Sequence, residues 1–157
     1  MKPSRTKSPP GTYFVTFSTW QRTRLFVVER YTRLFLKTLY GYERHGSFQL
    51  HAFVVMPEHV HVLITPNTTL ERAVQLIKGG YSHAFGSELG RHKEVWQRGF
   101  TDHRIRDAAD FELHRSYIHQ NPVKRGLVQN AFEYKYCSAF PGFRLDEWPS
   151  AAKAAVA

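Results

Sequence analysis

Two histidines separated by one residue stand in the segment Met56-Pro-Glu-His-Val-His-Val-Leu-Ile64. If this segment is a strand, His59 and His61 project from the same face of a sheet, because alternate residues of a strand share a face. The apolar residues between and after them would point to the other face, into a core. Such a pair can hold a divalent metal ion, although His-x-His also occurs on ordinary solvent-facing strands.

A catalytic metal site needs a further ligand and a reacting group. Tyr117 and Asn121 are four residues apart in a segment of helical spacing, so one helix would present a phenol and an amide oxygen on the same face. A His59, His61 and Asn121 ligand set leaves coordination positions open, as catalysis requires. Two alternatives stay open here. Pro122 biases Asn121 away from helical dihedral angles, and Tyr117 also fits an ordinary core aromatic.

The elements that would position these residues follow from the hydrophobic periodicity. Alternating or β-rich runs predict strands over 13–18, 48–56, 59–65 and 101–106, the middle two forming a hairpin. Helical spacing predicts helices over 31–42, 70–89 and 107–121, the last stopped by Pro122. Gly79 and Gly80 mark either a break in the second helix or a close approach to another surface. The order predicts an α+β, ferredoxin-like (split βαβ) antiparallel sheet with helices packed on one face, followed by an extra helix.

Charge and composition limit the class of partner. The 157 residues include 22 Lys plus Arg against 13 Asp plus Glu, a formal charge of +9, with 42% hydrophobic and 15% aromatic residues. This composition supports a folded core and excludes a disordered basic tail. A compact basic domain favours a polyanionic partner, nucleic acid before an anionic membrane surface, although an unspecialised basic surface is also compatible.

The expected domain organisation is simple. We interpret residues 1–11 as a flexible basic arm that could lie along phosphates, a disordered leader being the alternative. Residues 12–145 are predicted to form a single domain and residues 146–157 a C-terminal tail. The single Cys137 cannot form an internal disulfide and suits a reducing cytosol. Pro9 and Pro10 interrupt any apolar run of a signal peptide, and no segment approaches a membrane span of about 20 apolar residues. We therefore expect a cytoplasmic, nucleoid-associated protein with no membrane contact.

The chain resembles the REP-associated tyrosine transposases of the single-tyrosine HUH group. The resemblance covers roughly residues 13–140 and rests on Met56-Pro-Glu-His-Val-His61, on Val95-Trp-Gln-Arg-Gly-Phe100 leading into Asp102-His-Arg-Ile-Arg106, and on Tyr117-Ile-His-Gln-Asn-Pro-Val-Lys-Arg-Gly-Leu127. It implies an HUH endonuclease-like fold with a C-terminal catalytic helix. It also implies that His59 and His61 are metal ligands, that Asn121 completes the site, and that Tyr117 is the nucleophile in preference to Tyr134 or Tyr136.

The resemblance further implies a metal-dependent transposase that nicks and rejoins single-stranded DNA and processes repetitive extragenic palindromic (REP) hairpins. A phenol is a poor nucleophile at neutral pH, so a metal that polarises the phosphoryl oxygen would assist Tyr117. Attack would leave a 5′-phosphotyrosine and a 3′-hydroxyl, which conserves the bond energy for rejoining. The expected ion is Mg²⁺ or Mn²⁺. A monomer is favoured, although a dimer that exchanges helices would have the same sequence.

Other residues could support this chemistry. Glu58 adjoins a predicted ligand and His103 lies on the fourth predicted strand, so either could orient a ligand or accept a proton. The alternatives are that Glu58 is an ordinary turn carboxylate and that His103 is an ordinary surface histidine. Basic residues could contact phosphates and aromatic residues could stack on bases. The predicted DNA contacts are Lys2, Arg5, Lys7, Arg22, Arg24, Lys78, Trp96, Arg98, Arg104, Arg106, Lys124 and Arg125, with Trp20 and Phe100 as further stacking candidates.

Two rival functions belong to other classes. A ferredoxin-like sheet can bind nucleic acid without catalysis. A histidine-based nucleotide hydrolase is also conceivable, but position 63, where a third histidine would stand, is Leu63.

Overall fold

The computed structural model describes residues 7–148, so Lys2 and Arg5 of the predicted arm lie outside the described residues. Four strands form one antiparallel sheet in the order β2-β3-β1-β4. The strands are β1 (Tyr13–Ser18), β2 (Phe48–Val55), β3 (His59–Pro66) and β4 (Thr101–Arg104), and the helices are α1 (Glu29–Arg44), α2 (Leu70–Leu89) and α3 (Ala108–Lys124). The predicted α+β, ferredoxin-like class is confirmed.

One face of the sheet is covered by α1 and α2. The alternation predicted for β1 is observed, with Tyr13, Val15 and Phe17 buried towards these helices. Apolar residues of α1 and α2, among them Phe35 and Tyr81, complete this core. The α1/α2 face therefore follows from the apolar periodicity of the chain.

The other face of the sheet is partly covered by α3. Phe111 and Ile118 of α3 pack with Leu63 and with Cys137 in a second, smaller cluster. The helices of the split βαβ unit thus lie on one face as predicted, and the extra helix lies across the opposite face. This arrangement brings α3 to the side of β3 on which its histidines project.

The predicted end of the third helix at Pro122 is wrong, because α3 continues through Pro122 to Lys124. Proline lacks the N–H that would bond the carbonyl four residues earlier. That carbonyl, of Ile118, has the thiol of Cys137 at 4.0 Å instead. Gly126, with φ of 73°, follows the helix end as helix-terminating glycines do. Asn121 therefore keeps its place on the helix.

The two glycines of α2 do not break it, since the helix is continuous from Leu70 to Leu89. A Cβ atom added at Gly80 would lie 2.5 Å from the Tyr42 hydroxyl, whereas one at Gly79 would meet nothing within 4 Å. The close approach was the correct alternative at Gly80.

The described ends of the chain contact the domain. The guanidinium of Arg104 donates to the carbonyl of Pro10 at 2.6 Å. At the other end, the indole of Trp148 stacks on Phe111 with ring centroids 4.5 Å apart and donates to the Thr12 hydroxyl at 2.8 Å. Trp148 of the predicted tail is therefore packed on the domain, and Asp146 accepts from the Leu50 amide at 2.8 Å. Within residues 7–148 we find no helix of the length and apolarity needed to cross a membrane.

Candidate active site

The His-x-His pair lies on β3, a central strand, and faces α3. His59 is opposite Ser18 and His61 opposite Thr16 in the β1–β3 register. Both histidines are buried, and their ring centroids are 4.7 Å apart. The intervening Val60 belongs to the opposite core, as the alternation predicts.

Each imidazole has an oxygen beside its Nδ1 atom. The Nδ1 of His59 is 3.0 Å from Glu58 Oε1, and the Nδ1 of His61 is 2.7 Å from Thr16 Oγ1. A carboxylate only accepts hydrogen bonds, so we assign the proton of His59 to Nδ1. The Thr16 hydroxyl can donate or accept, and when it accepts from Nδ1, His61 has the same tautomer. Nε2 is then the unprotonated nitrogen of both rings, which is how proteins orient histidines that bind metal ions.

Burial keeps the two imidazoles neutral. It lowers the pKa of His61 to about 3, with further lowering from His59 and Arg125. Burial also lowers the pKa of His59, although the neighbouring Glu58 opposes the shift. Because a protonated imidazole cannot bind a metal ion, both rings are in the ligand form at neutral pH.

Asn121 lies against His61 from the helix side. Its Nδ2 is 3.4 Å from His61 Nε2, and its side chain is buried. Within residues 7–148, its Oδ1 has no hydrogen-bond partner. A buried carbonyl oxygen without a partner costs about 1–3 kcal/mol, and the amide oxygen and nitrogen can exchange places by rotation. Two imidazole nitrogens and one amide oxygen form a donor set suited to a divalent metal ion, which would satisfy this oxygen.

Tyr117 lies one helical turn before Asn121. Its ring packs edge-on against His61, with centroids 5.5 Å apart, and against Phe14 at 5.8 Å. The side chain is still 42% exposed, so a substrate can reach it. By contrast, Tyr134 donates its hydroxyl to the Val55 carbonyl at 2.8 Å, and burial raises its pKa. The geometry favours Tyr117 over Tyr134 as a nucleophile.

Glu58 connects the histidines to a basic cavity. Its Oε1 accepts from Arg125 at 2.8 Å and from Arg22 at 3.4 Å, besides its contact with His59. Burial raises the pKa of Glu58, but Arg125 and His59 outweigh that effect and hold the pKa below its usual value. The cavity of about 470 Å³ is lined by three arginines around this single carboxylate, namely Arg22, Arg24 and Arg125, together with Pro57 and Leu127. It is suited to an anion.

Some predicted residues lie elsewhere. His103 is 2.8 Å from Asp110 and stacks on His114, while the ring of Phe14 contacts both His114 and His61. His103 therefore belongs to a neighbouring cluster. Trp96 is a correction: it is buried in the α1/α2 core, where its indole donates to the Lys78 carbonyl at 3.0 Å, and it offers no face to a base.

The predicted basic residues differ in their surroundings. The Lys78 ammonium donates to two carbonyls of the 97–99 loop, at 2.9 and 2.8 Å, and Arg104 bonds Pro10. Arg106 is 3.5 Å from Asp110, and the ammonium of Lys124 lies 5.6 Å from the ring of Tyr117. Lys7 and Arg98 are exposed, and Arg98 lines a cavity beside β1.

Sequence reasoning missed Thr16 and Phe14 as members of the site. Both lie on the face of β1 opposite to its core residues, so the alternation of β1 indicates that they share one face of the sheet. The strand order, which places β1 beside β3, was the information needed to use it.

A ferredoxin-like sheet with a His-x-His pair on a central strand, crossed by a helix that carries a tyrosine, defines the class of single-tyrosine HUH proteins. Comparison with known proteins agrees. Residues 10–121 match the family described as "Transposase IS200 like". The REP-associated tyrosine transposase of Escherichia coli K12 is 30% identical over 129 residues, covering 80% of this chain and 74% of that protein. The chain belongs to this transposase family, as a REP-associated tyrosine transposase, an enzyme that nicks DNA.

Two further relatives extend the comparison. A Haemophilus influenzae protein given the same family name is 27% identical over 151 residues, covering 88% of this chain and 85% of its own. A solved structure of a REP-associated tyrosine transposase bound to a REP hairpin superposes with a TM-score of 0.72, covering 96% of each chain at 24% identity. At that identity the likeness supports the fold.

Proposed function

We propose that the protein is a divalent-metal-dependent transposase that cleaves and rejoins single-stranded DNA through Tyr117. The observation that carries this proposal is the buried, unpartnered Oδ1 of Asn121, which lies beside two neutral imidazoles and one helical turn from an exposed tyrosine. A buried polar atom without a partner is rare in folded proteins and often marks a missing ion or a functional role.

His59, His61 and Asn121 would hold the ion, Glu58 and Thr16 orienting the two imidazoles. When bound, the metal polarises a phosphoryl oxygen and stabilises the charge that develops in the transition state. The two nitrogen ligands favour Mn²⁺ by affinity, whereas abundance favours Mg²⁺.

Tyr117 would form and break the covalent bond. Its phenol oxygen attacks the phosphorus, the bond from phosphorus to the 3′-oxygen breaks, and solvent takes the phenol proton and returns one to the leaving oxygen. One phosphoester replaces another, so the 3′-hydroxyl of a second strand can attack the phosphotyrosine and release Tyr117 without an added energy source.

The DNA strand would follow the positive surface around Glu58. We assign a phosphate to the cavity of Arg22, Arg24 and Arg125, adjoining His59, with Lys124 and Arg98 on the flanks. Since one relative was solved with a REP hairpin, we propose such hairpins with single-stranded flanks as the substrate and the nucleoid as the location. We further propose a monomeric enzyme, which gel filtration with light scattering would test against a dimer that exchanges helices.

The test uses REP hairpin oligonucleotides with single-stranded flanks, incubated with protein and Mg²⁺ or Mn²⁺. We expect a covalent adduct on a denaturing gel that carries a 3′ label, because a 5′-phosphotyrosine retains the downstream strand, and a released 5′-labelled product. Tyr117→Phe should lower adduct formation by at least about 10³-fold, and EDTA should abolish it. Tyr136→Phe is the matched control and should retain the adduct.

Two outcomes would contradict the proposal. An adduct formed by Tyr117→Phe would place the nucleophile elsewhere. Tight hairpin binding with no adduct, indifferent to EDTA and to His59→Ala, would favour a non-catalytic nucleic-acid-binding module.

A further inference from the structure

A second group of potential metal ligands lies at the start of α3. Among the described residues, His103 of β4 and Asp110 and His114 of α3 each offer one donor atom, all within 4.8 Å of one another. The His103 Nε2 is 2.8 Å from Asp110 Oδ2, and the His114 Nδ1 is 3.2 Å from Asp110 Oδ1. The two imidazole rings stack nearly parallel at 4.5 Å. This His103–Asp110–His114 cluster is separate from the pair on β3.

One carboxylate oxygen of Asp110 accepts no hydrogen bond within residues 7–148. The side chain is only 4% exposed. Its Oδ2 accepts hydrogen bonds from His103 and from the Arg106 amide at 2.9 Å, whereas Oδ1 forms no hydrogen bond within residues 7–148. Burial raises the pKa of Asp110, but the bonds from His103 and Arg106 outweigh it and lower the pKa to about 2. Asp110 is therefore a buried anion with one oxygen directed at His114.

Helix capping does not explain that oxygen. The start of α3 is capped by Asp107, whose side chain accepts from the Asp110 amide at 2.8 Å. Asp110 adds a bond to the Arg106 amide, but through Oδ2. The Nδ1 of His114 is 3.2 Å from Oδ1 and is closer to the Asp110 carbonyl, at 2.8 Å. Within residues 7–148, Oδ1 therefore has an ion-pair contact with His114 but accepts no hydrogen bond, and it could bind a further ligand.

We propose that His103, Asp110 and His114 bind a second divalent cation, of the transition-metal class that includes Zn²⁺. Two imidazoles and one carboxylate are a ligand set that such ions prefer, with metal–ligand bonds of about 2.0–2.2 Å. The donor atoms lie within 4.8 Å of one another. To bind one ion, His114 Nδ1 would leave the Asp110 carbonyl and the two imidazoles would turn towards the ion. The side chains of His103 and His114 are 39% and 18% exposed, which gives an ion access and leaves coordination positions for water.

The ion would join β4 to the first half of α3. His114 lies three residues before Tyr117, and the Phe14 ring contacts His114, Tyr117 and His61. A metal bridge at this point would stabilise the position of the helix that carries Tyr117, because an ion that binds only the folded state stabilises it. The inference goes beyond the proposed function, since it requires neither DNA nor cleavage.

The test is a titration of the metal-free full-length protein with Co²⁺, followed by absorption, and with Zn²⁺, followed by calorimetry. We expect two ions per chain. His103→Ala and His114→Ala should each bind one, as should the His59→Ala/His61→Ala double variant. His83→Ala, at an exposed position on α2, is the control and should still bind two. In the double variant, Zn²⁺ should raise the melting temperature, and adding His114→Ala should remove that rise.

One result would overturn the second site and leave the proposed function intact: a single ion per chain that the double variant loses and His103→Ala retains. A melting temperature of the double variant that Zn²⁺ leaves unchanged would overturn it as well. Conversely, failure of the proposed function would appear as an adduct that does not require Tyr117, whatever the ion count. The test uses variants of His103 and His114 because Asp110 also accepts from the Arg106 amide at the start of α3, so its substitution could change the helix itself.

Discussion

The two faces of the sheet differ in what they bury. On the α1/α2 face the core is built from apolar and aromatic side chains, and a buried hydroxyl such as that of Thr32 is bonded to a carbonyl at 2.8 Å. The α3 face buries His59, His61, Asn121 and Asp110. Within residues 7–148, both unpartnered buried side-chain oxygens, of Asn121 and Asp110, lie on that face.

The difference shows how one strand serves two purposes. On β3 the residues that face α1 and α2 are valine and isoleucine, and those that face α3 include the two histidines. Burying polar groups without hydrogen-bond partners costs free energy. Aromatic packing on the other face, where the rings of Phe26 and Phe35 meet at 5.5 Å and those of Phe35 and Tyr81 at 5.4 Å, offsets that cost. Stability and chemistry can therefore be altered separately.

The largest expected effect on the apolar face comes from Phe35→Ala. Phe35 is fully buried and contacts four aromatic rings, so its removal leaves a cavity. We expect the free energy of unfolding to fall by about 3–5 kcal/mol, measured by urea denaturation. The matched variant on the other face, Tyr117→Phe, should change the free energy of unfolding by less than about 0.5 kcal/mol, because its side chain is partly exposed.

This pair tests the separation of the faces directly. Tyr117→Phe should lose adduct formation and keep its stability, and Phe35→Ala should do the reverse when assayed at a temperature where it is folded. If Tyr117→Phe unfolds like Phe35→Ala, the tyrosine is a core residue and the comparison fails.

A smaller effect is expected from Glu58→Gln. The neutral amide weakens the bond to Nδ1 of His59 and the charge contact with Arg125. Substituting a residue that orients a metal-binding histidine typically lowers metal affinity by about 10- to 100-fold. We therefore expect Mn²⁺ binding to weaken by that factor, measured by calorimetry. Glu88→Gln, in an exposed ion pair with Lys37, is the control. Unchanged Mn²⁺ affinity in Glu58→Gln would show that Glu58 serves the arginines alone.

Local patterns explain why much of this could be predicted from the sequence. The alternation of β1, the pairing of β2 with β3 as a hairpin, and the common face of His59 and His61 depend on residues close in the chain. The contacts of Glu58 with Arg125 and of Thr16 with His61 span 67 and 45 residues. They can be inferred only when the tertiary arrangement of the elements is known. Sequence reasoning could therefore propose the ligands and the adjacent Glu58, but not Thr16, which contacts His61 from another strand.

Two errors have a similar origin. Pro122 was predicted to stop α3 because proline lacks the N–H of a helical hydrogen bond. That expectation takes no account of the Cys137 thiol, which lies near the Ile118 carbonyl, and α3 continues to Lys124. Trp96 was predicted to contact DNA because aromatic rings can stack on unpaired bases. A bridge between Trp96 and Thr19 draws it under the end of β1 and into the α1/α2 core instead. In both cases a tertiary contact overrides a local preference.

The smallest expected effect lies on the α1/α2 face, at two adjacent glycines. Alanine is favoured over glycine in a helix interior by about 1 kcal/mol, so Gly79→Ala should raise the free energy of unfolding by about 0.5–1 kcal/mol. At Gly80 the same methyl group would lie 2.5 and 2.6 Å from the hydroxyl oxygen and Cε2 of Tyr42. We expect Gly80→Ala to lower the free energy of unfolding by about 1 kcal/mol, because the tyrosine must move.

Urea denaturation of both variants, and of Gly80→Ala combined with Tyr42→Ala, measures this difference. In the double variant the penalty at Gly80 should disappear, since the side chain that the new methyl group would meet is gone. Equal stabilisation by Gly79→Ala and Gly80→Ala would mean that Tyr42 moves aside without cost. Because α2 packs on the face away from His59 and His61, both glycine variants should keep the wild-type affinity for Mn²⁺. A change in that affinity would show that the two faces are coupled through the sheet.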